Sequence, residues 1–478
     1  MTLPSRLSVL SISLFIAACS HKLPPVQSGL QAPGAWQGQA APVQQPLPQQ
    51  DWWQQFSSVQ LNQLIERAQR NSFDLAAATA RVRQAQASAV IAGAPLLPEV
   101  TFGLDASRQR LLRGDGFEQL DASSSERTST SFNTRLSAKY EIDFWGGNAA
   151  ARDSAEQELG ASRYDRQTVA LTLLSGVANS YLQSLALAEQ VRIARLNLAN
   201  AQDVLRLVQT RYDSGSATAL ELAQQRSLVA GQARQVPLFE QQLQEARVTL
   251  AALLGEPVQQ LPPTRESIGQ VRWPEIGNGV PSDLLSRRPD IAAAEARLAA
   301  AQANVQVARA AMLPSLTLGA DLGSGADTFA QILRSPYYTL TAGLAAPVFN
   351  NGRLSAERDK AQGRQDELLQ NYRSSIVAGF ADVEKALNSI SGVDHQRQWQ
   401  DEEVEQARTA FTLSESRYRA GAETLLTVLE TQRTLYQAQD QQVQLRLARL
   451  QGSVALYKAL GGGWQVPAPP LSGNDPPQ

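Results

Sequence analysis

Arg211-Tyr212-Asp213-Ser214-Gly215 and Arg417-Tyr418-Arg419-Ala420-Gly421 read as one device used twice. Each closes a long run of helical periodicity. Each is followed by Thr-containing turn residues and a second amphipathic run, Leu220 to Leu254 and Leu425 to Leu460. A glycine just past a periodic run marks a helix C-terminus, because only glycine takes the left-handed conformation there without a Cβ penalty. Both stretches therefore predict two helices meeting at a tight tip, with an Arg and a Tyr on the last turn.

The runs leading into the tips are unusually long. From about Asn148 to Asp213 there is no proline, and Leu174, Val177, Tyr181 and Leu185 recur at helical spacing. One helix over that run would be about 100 Å long, far beyond the usual three turns. A helix of that length needs neighbours along its course, as in a coiled coil or an α-barrel. The returning run carries Pro237, which predicts a kink. Upstream, Leu61 to Ala92 predicts a shorter helix stopped near Gly93 and Pro95.

Between the helical runs the period changes to two. Val100, Phe102, Leu104 and Ala106 alternate with Thr101, Gly103, Asp105 and Ser107. After a polar loop, Phe132, Leu136, Ala138, Tyr140, Ile142 and Phe144 alternate with Asn133, Arg135, Ser137, Lys139, Glu141 and Asp143. Such alternation predicts strands with one apolar and one polar face. A soluble sheet shows it as well, but charges on one face with aromatics near the strand ends suit a transmembrane β-barrel. Asp143, at the strand end, is compatible with a lumen role or with holding the turn.

The whole arrangement then repeats at a constant offset. Asp74-Leu75 matches Asp290-Ile291, Arg81 matches Arg297, Leu97-Pro98 matches Leu313-Pro314, Gly103 matches Gly319, and Asp105 matches Asp321. A second strand pair alternates through Leu316, Leu318, Ala320 and Leu322, then Tyr338, Leu340, Ala342 and Leu344. Each half thus predicts helix, strand pair, long helix, tip and returning helix. Four strands per chain cannot close a membrane barrel, for which about eight is the minimum. Open edges in lipid leave backbone groups unsatisfied. The chain is therefore expected to oligomerise, with the polar strand faces lining a water-filled conduit.

Composition narrows the function. A net charge of −2 over 478 residues argues against nucleic acid as a partner. Cys19 is the only cysteine, and His21 and His395 are the only histidines, so neither a disulfide framework nor a metal cluster is expected. Carboxylates such as Asp401-Glu402-Glu403 read as a charged helix face. At the N-terminus, Arg6 and the apolar run Leu7 to Ala18 end in Ile16-Ala17-Ala18-Cys19, a pattern like the bacterial lipobox, with Cys19 as the lipid attachment point. No cofactor is expected beyond that covalent lipid, an N-acyl and an S-diacylglycerol group. The expected divisions are a signal peptide (1–18), an extended tether (19–50), a first repeat (51–256), a connector (257–281), a second repeat (282–462) and a Pro-rich tail (463–478).

Taken together, Ala17-Ala18-Cys19, Asp51-Trp52-Trp53, Tyr140 to Gly146, the connector Pro281-Ser282-Asp283-Leu284-Leu285-Ser286-Arg287-Arg288-Pro289-Asp290-Ile291 and both Arg-Tyr-x-x-Gly tips resemble the TolC-like outer-membrane factors, in their lipoprotein (NodT-type) branch. One departure is Phe73, where the first repeat usually has proline. The resemblance implies a mixed α+β membrane protein with four transmembrane β-strands and long helices per protomer. It implies a homotrimer with a twelve-stranded outer-membrane barrel, continued by a twelve-helix periplasmic barrel with an equatorial belt. It implies an exit duct for drugs or other small toxic molecules in a tripartite pump, with a periplasmic adaptor and an inner-membrane RND transporter as partners.

By the same resemblance, Arg211, Tyr212, Gly215, Arg417, Tyr418 and Gly421 would dock the adaptor; their alternative reading is ordinary helix C-cap chemistry. Phe411 and Glu415 match the positions of an apolar and an acidic gate ring, against the alternative of a solvated helix face. Asp105, Arg135, Lys139, Glu141, Asp143 and Asp321 would wet the barrel lumen. Two other classes compete. A lipid-tethered coiled-coil adhesion protein would leave the four symmetric alternating segments unexplained. A periplasmic hydrolase would need a nucleophile motif, and none is visible.

Overall fold

The computed structural model describes residues 28–37, 49–110, 112, 128–277 and 279–464. The first half runs α1 (Val59–Asn71), α2 (Phe73–Gly93), β1 (Glu99–Arg110), β2 (Thr128–Ile142), α3 (Gly147–Asp213) and α4 (Ala219–Leu253). The second runs α5 (Pro289–Ala310), β3 (Ser315–Ala326), β4 (Pro336–Ala345), α6 (Arg353–Arg419) and α7 (Leu425–Ala459). The long helices α3 and α6 each hold 67 residues.

One local detail departs from the sequence pattern. The helix expected from Leu61 to Ala92 is broken at Ser72, which is extended (φ −63°, ψ 124°) and accepts the Leu75 N–H on its hydroxyl at 3.4 Å. Ser72 thereby caps α2, and Phe73 occupies the first helical position that Pro289 occupies in α5. A serine cap does here what a helix-starting proline does in the second repeat. Pro237 lies inside α4, which is assigned as one helix from Ala219 to Leu253.

The chain forms two compact units, and each draws on both repeats. One unit, built from Val82–Ser162 and Ala294–Tyr372, holds an antiparallel sheet in the order β1-β2-β3-β4. Its register aligns like with like. Val100 faces Ala138, Phe102 faces Leu136, Leu136 faces Leu322, and Leu322 faces Tyr338. On the opposite face Thr101 lies beside Ser137, Ser137 beside Asp321, and Asp321 beside Thr339. The apolar face is uncovered, with Phe102, Leu104, Leu340 and Leu344 all more than half exposed. Among the described residues β1 and β4 each have one unpaired edge. The Trp145 indole donates to the Pro314 carbonyl at 2.8 Å and ties the end of the first hairpin to the start of the second.

The other unit is built from Gly29–Arg81, Arg163–Ala293 and Arg373–Gln478. Its core gathers Trp52, Phe56, Leu61, Ile65, Val177, Tyr181, Leu254, Val454 and Tyr457. Trp52 stacks on Tyr457 with ring centres 4.9 Å apart, and the Tyr457 hydroxyl donates to Gln55 at 2.7 Å. Within the stretch expected to be a tether, Trp36 is buried against Phe380 and donates to the Gly279 carbonyl at 3.1 Å. That stretch therefore contributes one anchor to the core, an indole that buries its apolar body while its N–H keeps a hydrogen-bond partner.

Polar anchors hold the connector. Glu266 accepts from Ser58 at 2.5 Å, from Tyr181 at 2.9 Å and from the Gln60 N–H at 3.1 Å. Burial alone would raise its pKa, but these donors outweigh burial and hold the carboxyl below the usual range. The guanidinium groups of Arg397 and Arg446 both lie over the Trp273 ring, 4.1 and 4.9 Å from its centre. Arg288 of the Arg-Arg-Pro-Asp motif is buried and forks onto Asp290 at 3.0 and 2.6 Å while reaching Asp382 at 2.9 Å. Where α7 ends, Gly461 sits at φ 85°, and a Cβ there would fall 1.9 Å from the Arg287 carbonyl oxygen.

Gly461→Ala should therefore lower the thermal midpoint of the detergent-solubilised protein markedly, by several kcal/mol in unfolding free energy (roughly 3); a midpoint within experimental scatter of wild type would contradict the contact. The Glu266 contribution is complete above the unfolded carboxylate pKa and is lost as pH falls through its lower folded value. Glu266→Gln should consequently flatten the decline in thermal midpoint between about pH 5 and pH 3. An unaltered acid limb would show that Glu266 does not carry it.

Candidate functional site: a polar sheet face and two helical tips

Five of the six charged residues expected in the lumen do share one face of the sheet. Arg135 sits between Gly103 and Gly323, Lys139 between Glu99 and Gly319, and Glu141 beside Thr317. Asp105 lies opposite Asn133, and Asp321 accepts a hydrogen bond from Ser137 at 2.5 Å. The glycines of β3 leave room that neighbours take up: an added Cβ at Gly323 would meet the Tyr337 ring at 2.6 Å, so Tyr337 leans over it. Asp143 is different. It lies one residue beyond β2, and its carboxylate accepts the Asn148 and Ala149 N–H groups at 3.1 and 2.8 Å. It caps the start of α3, where free N–H groups and the helix dipole favour a negative charge, and so leaves the lumen set.

Both tips have the same backbone. Gly215 and Gly421 take φ 73° and 80°. Ser216 N–H returns to the Arg211 carbonyl at 2.8 Å, and Ala422 N–H to the Arg417 carbonyl at 2.9 Å. These bonds satisfy carbonyls that a helix end leaves open. Thr218 and Glu221 then form a reciprocal capping box that starts α4, with bonds of 3.2 and 2.7 Å. The second tip has Thr427 in place of that glutamate, and Glu423 takes over by accepting from the Thr424 N–H at 3.1 Å and from the Thr427 hydroxyl at 3.0 Å. The Thr-x-x-Glu spacing at 218–221 is a sequence signal for the box.

The side chains of the two tips are not equivalent. Arg211 lies over the Tyr418 ring at 4.4 Å, and Tyr418 is 2% exposed, whereas Tyr212 is 41% exposed. Burial pushes the Tyr418 hydroxyl above its ordinary pKa. The Arg and Tyr of the motif thus have divided roles: one Arg–Tyr pair joins the two tips, and the remaining tyrosine faces outward. Arg417 is 3.7 Å from Glu423.

The expected gate pair does not line an open face. Phe411 is 8% exposed, packed in one cluster with Val204, Val208, Val404, Ala407, Tyr418, Leu425 and Val428. A side chain held inside the protomer's own helix contacts cannot project into a lumen, so the apolar ring at 411 is corrected to a core position. Glu415 is partly exposed and paired with Arg419 at 2.6 Å, one turn along the same helix. Cys19 lies outside the described residues, as does the loop between β1 and β2 apart from Leu112. Among the described residues, no group of three or more His, Cys, Asp or Glu side chains is placed to hold a metal. No described helix is long and apolar enough to cross a membrane.

Two stretches, residues 64–256 and 280–462, match the model of the outer membrane efflux protein family. The chain belongs to that family. It is 69% identical, over 98% of its length and all of the relative, to the pyoverdine export outer membrane protein OpmQ of Pseudomonas putida. It is 61% identical, over 98% of its length and 99% of the relative, to the protein of the same name from Pseudomonas aeruginosa. The outer-membrane channel OprN superposes with a TM-score of 0.85 at 26% identity, over 93% of this chain and 99% of that one. The chain is an outer-membrane efflux channel, a transport duct and not an enzyme. Its sheet with an uncovered apolar face and its paired long helices are this family's channel fold.

The division of the tips makes a paired prediction. Tyr418→Ala should destabilise the solubilised protein by about 3 to 5 kcal/mol, read as a lower thermal midpoint. Tyr212→Ala should stay within about 0.5 kcal/mol of wild type. Equal losses in both variants would contradict the asymmetry.

Proposed function

We propose that this channel is the outer-membrane exit duct of a tripartite export system whose cargo is pyoverdine. Three copies would close one barrel, β4 of each pairing with β1 of the next, so that Asp105, Arg135, Lys139, Glu141 and Asp321 wet a common lumen. What supports closure is the sheet itself: in lipid, each unpaired backbone group on an open edge costs several kcal/mol, and one chain offers too few strands to remove its own edges.

The cargo reading rests on one observation, the end-to-end similarity to two proteins named for pyoverdine export, at 69% and 61% identity. It narrows the broader expectation of drugs or small toxic molecules. The tips would meet a periplasmic adaptor through Tyr212 and Arg417, while Tyr418 and Arg211 hold the tips together. The transporter behind the adaptor would be of the RND type by the branch resemblance. Cys19 would carry the lipid that retains the N-terminus at the outer membrane.

Deleting the gene in its host should leave pyoverdine in the periplasm, measured after osmotic release, and lower it several-fold in the medium; the wild-type gene should restore secretion. Undiminished secretion, with raised sensitivity to solvents or antibiotics instead, would overturn the cargo and favour a drug duct.

A further inference from the structure

The lipid-facing side of the sheet ends in charge. On β1 the residues that share a face are Val100, Phe102, Leu104 and Ala106, and the same alternation continues to Arg108 and Arg110. Their cross-strand partners on that face are Thr130 and Thr128. The inward-facing neighbours Ser107 and Ser131 bond to each other on the polar side, 2.8 Å apart, which fixes the parity of the face. Both arginines are exposed.

Their depth follows from the band below them. On β2 the outward set runs from Phe132 to Ile142. At about 3.4 Å per residue and a tilt near 40°, that band is roughly 26 Å tall, the thickness of the apolar belt of an outer-membrane barrel. Phe132 and Phe329, with ring centres 5.9 Å apart, mark its upper border at the hairpin ends, where aromatic girdles sit. The opposite strand ends, Glu99, Ile142, Ser315 and Ala345, lead to the helices. Arg108 lies two residues above the border and Arg110 four, on the end of the strands away from the helices. An arginine there escapes the penalty it would meet at mid-membrane. It stands at the level where lipid phosphates lie, with a planar fork suited to them.

We propose that Arg108 and Arg110, flanked by the Thr128 and Thr130 hydroxyls, form an outward-facing site for the phosphates of lipopolysaccharide in the outer leaflet, three such sites ringing the assembled barrel. The site rests on the barrel reading but not on the cargo.

The test uses the intact protein purified in mild detergent, with native mass spectrometry of bound lipid after incubation with bisphosphorylated lipid A, enzymatically dephosphorylated lipid A, or phosphatidylglycerol. Wild type should retain bisphosphorylated lipid A about tenfold better than the dephosphorylated form, and Arg108→Gln/Arg110→Gln should lose that preference. Channel conductance in planar bilayers should be unchanged in the double variant, which separates a lost lipid site from a misassembled barrel. Equal retention of the two lipid A forms by wild type overturns the proposal without need of a variant. So does a preference that survives the double substitution, and so does phosphatidylglycerol binding as well as lipid A.

Discussion

A backbone amide in hydrocarbon must be hydrogen-bonded, and this requirement shapes the molecule more than any side-chain contact. Among the described residues each chain builds a sheet of four strands with two free edges. Roughly half of the backbone groups on an edge strand point away from its only partner, and each would be left unsatisfied in lipid. Nothing among the described residues removes that cost. The apolar face of the same sheet, with Phe102, Leu340 and Leu344 largely exposed, has no cover among the described residues of the unit that holds it. Both deficits are met at once if the sheet curves into a barrel shared between copies, with lipid outside and water inside.

The second unit meets a different constraint. Two 67-residue helices, of which this unit holds the larger part, and their returning partners cannot rely on helix propensity, because a helix in water gains most of its stability from the faces it packs. Aromatic packing around Trp52 and Tyr457, together with the Glu266 and Arg288 networks, holds α1, α3, α7 and the connector together. At the tips the same work is done by one Arg–Tyr stack and by threonine caps. The two repeats have diverged there: a capping glutamate at 221 and a threonine at 427, a buried tyrosine at 418 and an exposed one at 212. An outward tyrosine beside a rigid, capped turn suits a docking surface, since little freedom is left to lose on contact.

Much of this was legible in the residues because the periods are strong. Alternation over Val100 to Ala106 and Phe132 to Ile142 defined strand faces that the register reproduces. The tip glycines were legible because each closes a long periodic run with a backbone, at φ 73° and 80°, that favours glycine. What sequence could not give was direction around a helix that is contacted on several sides. Phe411 is four residues from Glu415 and shares its stripe, yet one is core and the other is paired at the surface. Asp143 satisfied two readings until its neighbours Asn148 and Ala149 were seen to donate to it. The Arg211–Tyr418 stack joins residues more than two hundred positions apart, and no local signal announces such a pair. Ser72 was missed for a simpler reason: a serine inside an Ala-rich helical run looks like a tolerated surface residue unless its own backbone turns extended.

The most direct measurement of the central claim is amide hydrogen exchange of the protein in lipid, resolved strand by strand. If copies share one closed barrel, amides of β1 and β4 will be protected as strongly as those of β2 and β3. Fast exchange along β1 and β4, with protection confined to the two inner strands, would mean that the edges stay open and that the account of a shared barrel is wrong.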